Sequence, residues 1–207
     1  MAGFPQELIS NRDGTQMAGH SRVRELLPRW REHVAILCSN PTNGSEIVLK
    51  ALGDELWMAQ NDISAAHVAY ALSREKPSAY SYNSRMCLVN ADHRKQPRTY
   101  ATPTAIKLTE LLESALVGSN SQAQIASLLP YKLLYAGALA EIGHLREALS
   151  YVENVLKCLR SLDKMNPEVD VVRVRTLAAQ MEHRLQDGLR GKGGNLAGAA
   201  VGEAKTL

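Results

Sequence analysis

The stretch from Leu129 to Tyr151 constrains this chain most. It reads as two helices turned back on each other, and it carries no catalytic arrangement. Pro130 suits the first turn of a helix, where its missing N–H costs nothing. Gly143 suits the left-handed residue that ends one. Leu145, Ala148, Leu149, Val152, Leu156 and Leu159 then recur at helical spacing, so the second helix shows one apolar face. Such faces must be covered, and hairpins of this kind cover theirs by stacking on one another.

The same pattern extends along the chain. A short helix is expected around Val23 to Leu27. Another starts after Pro28, with Trp30, Val34, Leu37 and Cys38 on one face. After the turn at residues 40–44, Ser45 is a candidate N-cap. Val48, Ala51, Leu52 and Ala59 line the next helix, which ends near Gln60. Asn61-Asp62 breaks the chain and caps a helix from Ile63 to about Arg74, whose Ala65, Ala66, Ala69 and Ala71 permit close approach. Arg85 to Ala91 is a short apolar segment with the composition of a strand, but its length and context read as a buried helical turn. Thr102-Pro103 opens a helix that Gly118 closes, with Ala105, Leu108, Leu112, Ala115 and Leu116 on one face. The last helix runs from about Glu168 to Gln186 and stops at Gly188. Residues 48–72 echo 132–156 without a strict repeat. The prediction is an all-α chain, an irregular α-solenoid of stacked helical hairpins with about eight helices. It spans 21–187, between a disordered lead-in at 1–20 and a flexible Gly/Ala-rich tail at 188–207.

Several function classes find no support. A single Phe and two Trp leave Leu, Ala, Val and Tyr to build the core. A net charge of +3 is too mild to imply nucleic acid. No apolar run approaches the roughly 18 residues of a spanning helix. Cys38, Cys87 and Cys158 lie apart among apolar neighbours and read as buried free thiols. No two of the six His lie four apart, and no Cys-x-x-Cys is present, so no metal or other cofactor is expected. Asp92-His93 is an adjacent acid–imidazole pair and reads as a loop pair that orders the turn before Pro97. Gly191-Lys192-Gly193-Gly194 has the composition of a phosphate loop without its flanks. No Ser sits in a nucleophile elbow. The chain is expected not to be an enzyme.

The residues left as candidates for partner binding are Trp30 and Trp57, which could anchor a partner or fill the core. The basic loop of Arg94, Lys95 and Arg98 reads first as a solvated loop and offers a contact to phosphate or an acidic partner. Tyr131 and Tyr135, four apart, suit packing between helices with wet hydroxyls.

Four collinear stretches resemble a known family. They are Trp30 to Asn40; Leu52-Gly53-Asp54-Glu55-Leu56-Trp57 with Ala65-Ala66-His67; Cys87 to His93 with Pro97 to Ile106; and Leu129 to Ala136 with Leu139-Ala140-Glu141 and Glu147-Ala148-Leu149. Together, over roughly residues 24–160, they resemble the second half of the central domain of the Sec-sixteen proteins, nearest to the plant type. The resemblance implies an ancestral-coatomer-element solenoid and a non-catalytic scaffold in COPII vesicle formation. It places the chain on the cytoplasmic face of the endoplasmic reticulum at exit sites and in the cytosol, peripheral to the membrane, supporting transport to the Golgi. The implied partners are COPII coat proteins and a second copy of the chain. The family also binds the Sec-thirteen propeller through a segment that residues 1–29 do not resemble. The alternative reading is a tetratricopeptide-like peptide-binding adaptor.

Overall fold

The computed structural model describes residues 23–118, 125–162 and 165–203. These contain seven α-helices and no strand: α1 (Trp30–Ser39), α2 (Ser45–Gln60), α3 (Ile63–Leu72), α4 (Pro103–Val117), α5 (Leu129–Glu141), α6 (Leu145–Ser161) and α7 (Val171–Glu203). The chain is all-α and built from helical hairpins, as the α-solenoid reading expects. The expected lead-in at 1–20 lies outside the described residues, as do 204–207 of the expected tail. Two compact units divide at residues 116 and 117.

Unit 1 is organised by the α2–α3 hairpin. Gly44 takes φ +100° and is the N-cap of α2, so Ser45 is its first residue. The Ser45 hydroxyl instead accepts the Thr42 N–H at 2.9 Å. Asn61 adopts the left-handed conformation at φ 57°, and its N–H reaches the Trp57 carbonyl at 3.1 Å. Asp62 then caps α3, accepting the Ala65 N–H at 2.9 Å. The hairpin buries Val48, Leu49, Leu52, Leu56 and Trp57 against Ala65, Ala66, Ala69 and Tyr70, with Val34 and Leu37 of α1 in the same core. Ala59, expected on this face, is exposed. Cys38 is exposed too, because α1 turns only its Val34–Leu37 edge inward; of the three free thiols Cys87 is buried and Cys158 half-buried.

Helices α2 and α3 approach tightly at Gly53. A Cβ built there would lie 2.5 Å from Cε1 of Tyr70 and 3.1 Å from the Ala66 carbonyl. The small residues expected on α3 supply half of that approach, and Gly53 supplies the other half.

Residues 73–102 form no helix or strand apart from turns, yet Pro77, Met86, Cys87, Leu88, Ala91, His93 and Tyr100 are buried. The helical turn expected at Arg85–Ala91 is therefore a buried irregular segment. It is held by side chains of α3 and α4 rather than by its own ladder. Thr102 caps α4 as expected, accepting the Ala105 N–H at 3.2 Å. The inward face of α4 is Ala105, Ile106, Thr109 and Glu113, rotated from the predicted stripe, and Ala115 is exposed.

Unit 2 contains the hairpin that opened the sequence reading. Gly143 takes φ +89°, and the His144 N–H closes the end of α5 on the Leu139 carbonyl at 2.9 Å. Its core joins Ala148, Val152, Val155 and Leu159 of α6 to Val171, Val174, Ala178 and Leu185 of α7, with Met181 half-buried. α7 does not stop at Gly188. That residue stays helical, against the Leu145 side chain, and one helical glycine costs only about 1 kcal/mol.

Candidate functional site

The densest polar cluster in the described residues forms where the irregular segment 73–102 meets the α2–α3 hairpin. It begins from Asp54 on α2. Its carboxylate accepts the Tyr70 hydroxyl at 2.7 Å and both Nε and Nη2 of Arg85 at 2.9 and 3.0 Å. Burial first, and then this bond to Asp54, push the Tyr70 hydroxyl well above its ordinary pKa. Tyr70→Phe should cost unit 1 about 1 to 1.5 kcal/mol in a urea titration, since Arg85 still satisfies Asp54.

Further along, the Asn90 N–H donates to Nδ1 of His67 at 2.8 Å, and the Val89 N–H donates to Oγ1 of Thr109 at 2.9 Å. Trp57, only 6% exposed, donates its indole N–H to Asp92 at 3.3 Å. The other Asp92 oxygen accepts the backbone N–H groups of Arg94 and Lys95 at 3.1 and 3.0 Å. Burial works to raise the pKa of Asp92, but these donors and the Lys95 charge outweigh it and hold the carboxyl below its usual range.

His93 is fully buried, with Trp57, Tyr80 and Tyr100 packed around it at ring separations of 5.5, 6.1 and 6.1 Å. Burial, and then the Arg94 charge, lower its pKa. His67 is pulled down further, to about 4, by burial and then by His93. Because Nδ1 of His67 accepts a hydrogen bond, its proton sits on Nε2. Both imidazoles are neutral at pH 7.

Five of the seven candidate residues belong to unit 1 and two to unit 2. The Arg94 guanidinium lies 3.9 Å from the Trp57 ring centre and 5.7 Å from that of Tyr82, and it donates to the Ser84 carbonyl at 3.4 Å. It is a clamp on the loop. The Lys95 ammonium meets the Asn61 side chain, and Arg98 is exposed. Trp30 is half-buried, with the Arg31 guanidinium 4.6 Å over its ring. In unit 2, Tyr131 and Tyr135 are both half-buried, and Tyr135 packs edge-on against Tyr151 at 5.0 Å. Sequence reasoning missed Asp54, Tyr70 and Arg85; Asp54 lay inside a quoted motif, but nothing in spacing says what a lone carboxylate on a helix will hold. Among the described residues no group of three or more His, Cys, Asp and Glu could hold a metal. No helix there is long and apolar enough to cross a membrane.

The fold and this cluster define a class: an α-helical hairpin protein whose most elaborate polar network clasps a long loop to its scaffold. The chain belongs to the Sec16 family, whose model, described as the Sec16 Sec23-binding domain, matches residues 3–198. That range contains and extends the stretches that carried the resemblance. The chain is 39% identical over 197 residues to the protein transport protein SEC16B homolog of Arabidopsis thaliana, covering 90% of this chain and 14% of the relative. It is 36% identical over 201 residues to the SEC16A homolog of the same plant, covering 97% of this chain and 14% of the relative. A fungal relative, the COPII coat assembly protein sec16 of Aspergillus fumigatus, is 32% identical over 169 residues, covering 76% of this chain and 9% of the relative. The chain thus spans about a seventh of the length of the plant relatives. No solved structure matches it.

Proposed function

We propose that this chain is a non-catalytic scaffold segment in COPII coat assembly, acting at endoplasmic-reticulum exit sites on the cytoplasmic face and supporting transport to the Golgi. The observation that carries this reading is a family match running from residue 3 to residue 198, across both units. The family description names Sec23 as a ligand, so the coat subunit Sec23 is the partner proposed for this chain. Association with a second copy through helix faces is part of the same reading, and light scattering on the purified chain checks it. Of the candidates, Trp30, Arg98, Tyr131 and Tyr135 keep surface to offer a partner, whereas Trp57 and Arg94 are engaged within unit 1.

The adaptor alternative draws no support from repeat geometry. The two echoing hairpins differ in construction, with 16 and 10 residues in α2 and α3 and 13 and 17 in α5 and α6.

The test is direct binding of the immobilised chain to purified Sec23. Retention of Sec23 at near-stoichiometric amounts is the expected result, with a reduction of several-fold for Arg98→Glu if that exposed cation meets an acidic patch. A folded chain that retains no Sec23 removes this assignment.

A further inference from the structure

Helices α6 and α7 run antiparallel. Gly188 of α7 lies against Leu145 at the start of α6, and Arg175, near the start of α7, donates Nη2 to the Leu159 carbonyl at 2.7 Å near the end of α6. Their shared apolar stripe faces the core of unit 2. On another side the pair leaves an open groove of about 620 Å³, lined by Glu153, Leu156, Lys157 and Arg160 of α6 and by Arg175, Ala179 and Glu182 of α7.

The charges in this groove are sorted. Seven residues separate Glu153 from Arg160, about 10 Å or two helical turns. The antiparallel pairing puts Arg175 beside Arg160 and Lys157, and puts Glu182 beside Glu153. One end is therefore cationic and the other anionic, with Leu156 and Ala179 between them. Among the described residues, Glu153, Lys157, Arg160 and Glu182 have no ion-pair partner. Arg160 and Arg175 at one end and Glu153 and Glu182 at the other set like charges side by side, with Lys157 between them one turn from Glu153.

We propose that the α6–α7 groove docks one α-helical segment of a partner protein. Its carboxylates lie against Lys157, Arg160 and Arg175, its small apolar residues lie over Leu156 and Ala179, and a lysine or arginine sits between Glu153 and Glu182. A third helix is the natural filling for a groove between two helices, since its ridges fit theirs. The sorted charge sets its direction and rejects wrong partners. A uniformly anionic ligand, such as a nucleic acid or an acidic lipid surface, satisfies the cationic end but meets Glu153 and Glu182 at the other. The inference rests on the scaffold reading only in that the chain works through contacts; it does not require that the partner be Sec23.

The test uses the full chain and two labelled helix-forming peptides of about 15 residues, long enough for a marginal helix. One carries two Glu, an Ala/Leu centre and two Lys about two turns on; the other replaces the Lys by Glu. The bipolar peptide should bind and the acidic one should bind more weakly. Lys157→Glu with Arg160→Glu should weaken the bipolar peptide about tenfold or more, and Glu153→Lys with Glu182→Lys should do the same while strengthening the acidic peptide. Lys157, Arg160 and Glu153 are exposed, so helicity by circular dichroism should be retained. Absence of bipolar-peptide binding, undiminished bipolar-peptide binding by either double variant, or preference for the acidic peptide or inorganic phosphate would each overturn the proposal. Sec23 retention is measured on the same proteins, so loss of one result is separable from loss of the other.

Discussion

Gly53→Val should destabilise unit 1 by about 3 kcal/mol, the upper range for forcing extra carbon into a packed interior. The backbone at Gly53 is ordinary helix, so the effect is not one of conformation. It comes from Tyr70, whose Cε1 and Cδ1 would stand 2.5 and 2.8 Å from the new Cβ. That ring cannot swing away. It is fully buried, and its hydroxyl is fixed on Asp54, which Arg85 fixes in turn. Gly53→Ala sets the same clash against a helix-propensity gain of about 1 kcal/mol, so a net loss of about 1 to 2 kcal/mol is expected. The two tryptophans both lie in unit 1, so urea unfolding followed by tryptophan fluorescence reports on that unit. A second measurement isolates the cause. In a Tyr70→Ala background the ring is gone and only the 3.1 Å approach to the Ala66 carbonyl remains, so the cost of Gly53→Ala should shrink to near zero. If the loss from Gly53→Ala persists there unchanged, contact with Tyr70 is not its source.

The residues differ in how far their structural roles could be read from sequence, and the difference is physical. α5 and α6 were legible because Pro130, Gly143 and a stripe spaced by three and four each act locally and agree. Asp62 and Thr102 were legible as caps for the same reason. Arg85–Ala91 was not, because its shape is fixed by partners distant in the chain: the Val89 N–H goes to Thr109, the Asn90 N–H to His67, and the Arg85 guanidinium to Asp54. A buried segment satisfied in this way leaves no periodicity to detect. The rotated face of α4 has the same origin, since Thr109 turns inward to receive the Val89 N–H. Trp57 and Arg94 could be singled out by residue type, yet their joint role as ring and clamp needed the fold. Glu153, Lys157 and Arg160 look in sequence like an ordinary solvated edge of α6. Only α7, placed antiparallel beside it, makes them one wall of a groove.

Acidification should unfold unit 1 well before its carboxylates are all protonated. In the unfolded chain His67 titrates near its ordinary value of 6.5, whereas in the folded protein it does so at about 4. Above pH 6.5 both states carry the neutral ring and stability is flat with respect to this group. Between those values the unfolded chain binds a proton that the folded one refuses, so stability falls as pH falls, by about 3 kcal/mol in all at 1.36 kcal/mol per unit. Burial and the His93 ring oppose protonation; the Arg85 carbonyl and Asp92 favour it and are overcome. His93 shifts in the same direction and steepens the slope. Asp92 acts lower down, because its depressed pKa contributes stability that is lost only as pH drops through the carboxylate range. Urea midpoints by tryptophan fluorescence from pH 7.5 to 4.5 should therefore decline mainly below pH 6.5. His67→Asn keeps an acceptor for the Asn90 N–H and removes the titration. It should lower stability at pH 7 by about 1 to 2 kcal/mol and flatten the decline to what His93 alone supplies. A variant that keeps the full slope would place the sensitive group elsewhere. A flat profile in the unaltered chain would mean that the packed ring of Trp57, His67 and His93 opens to water too readily to exclude a proton.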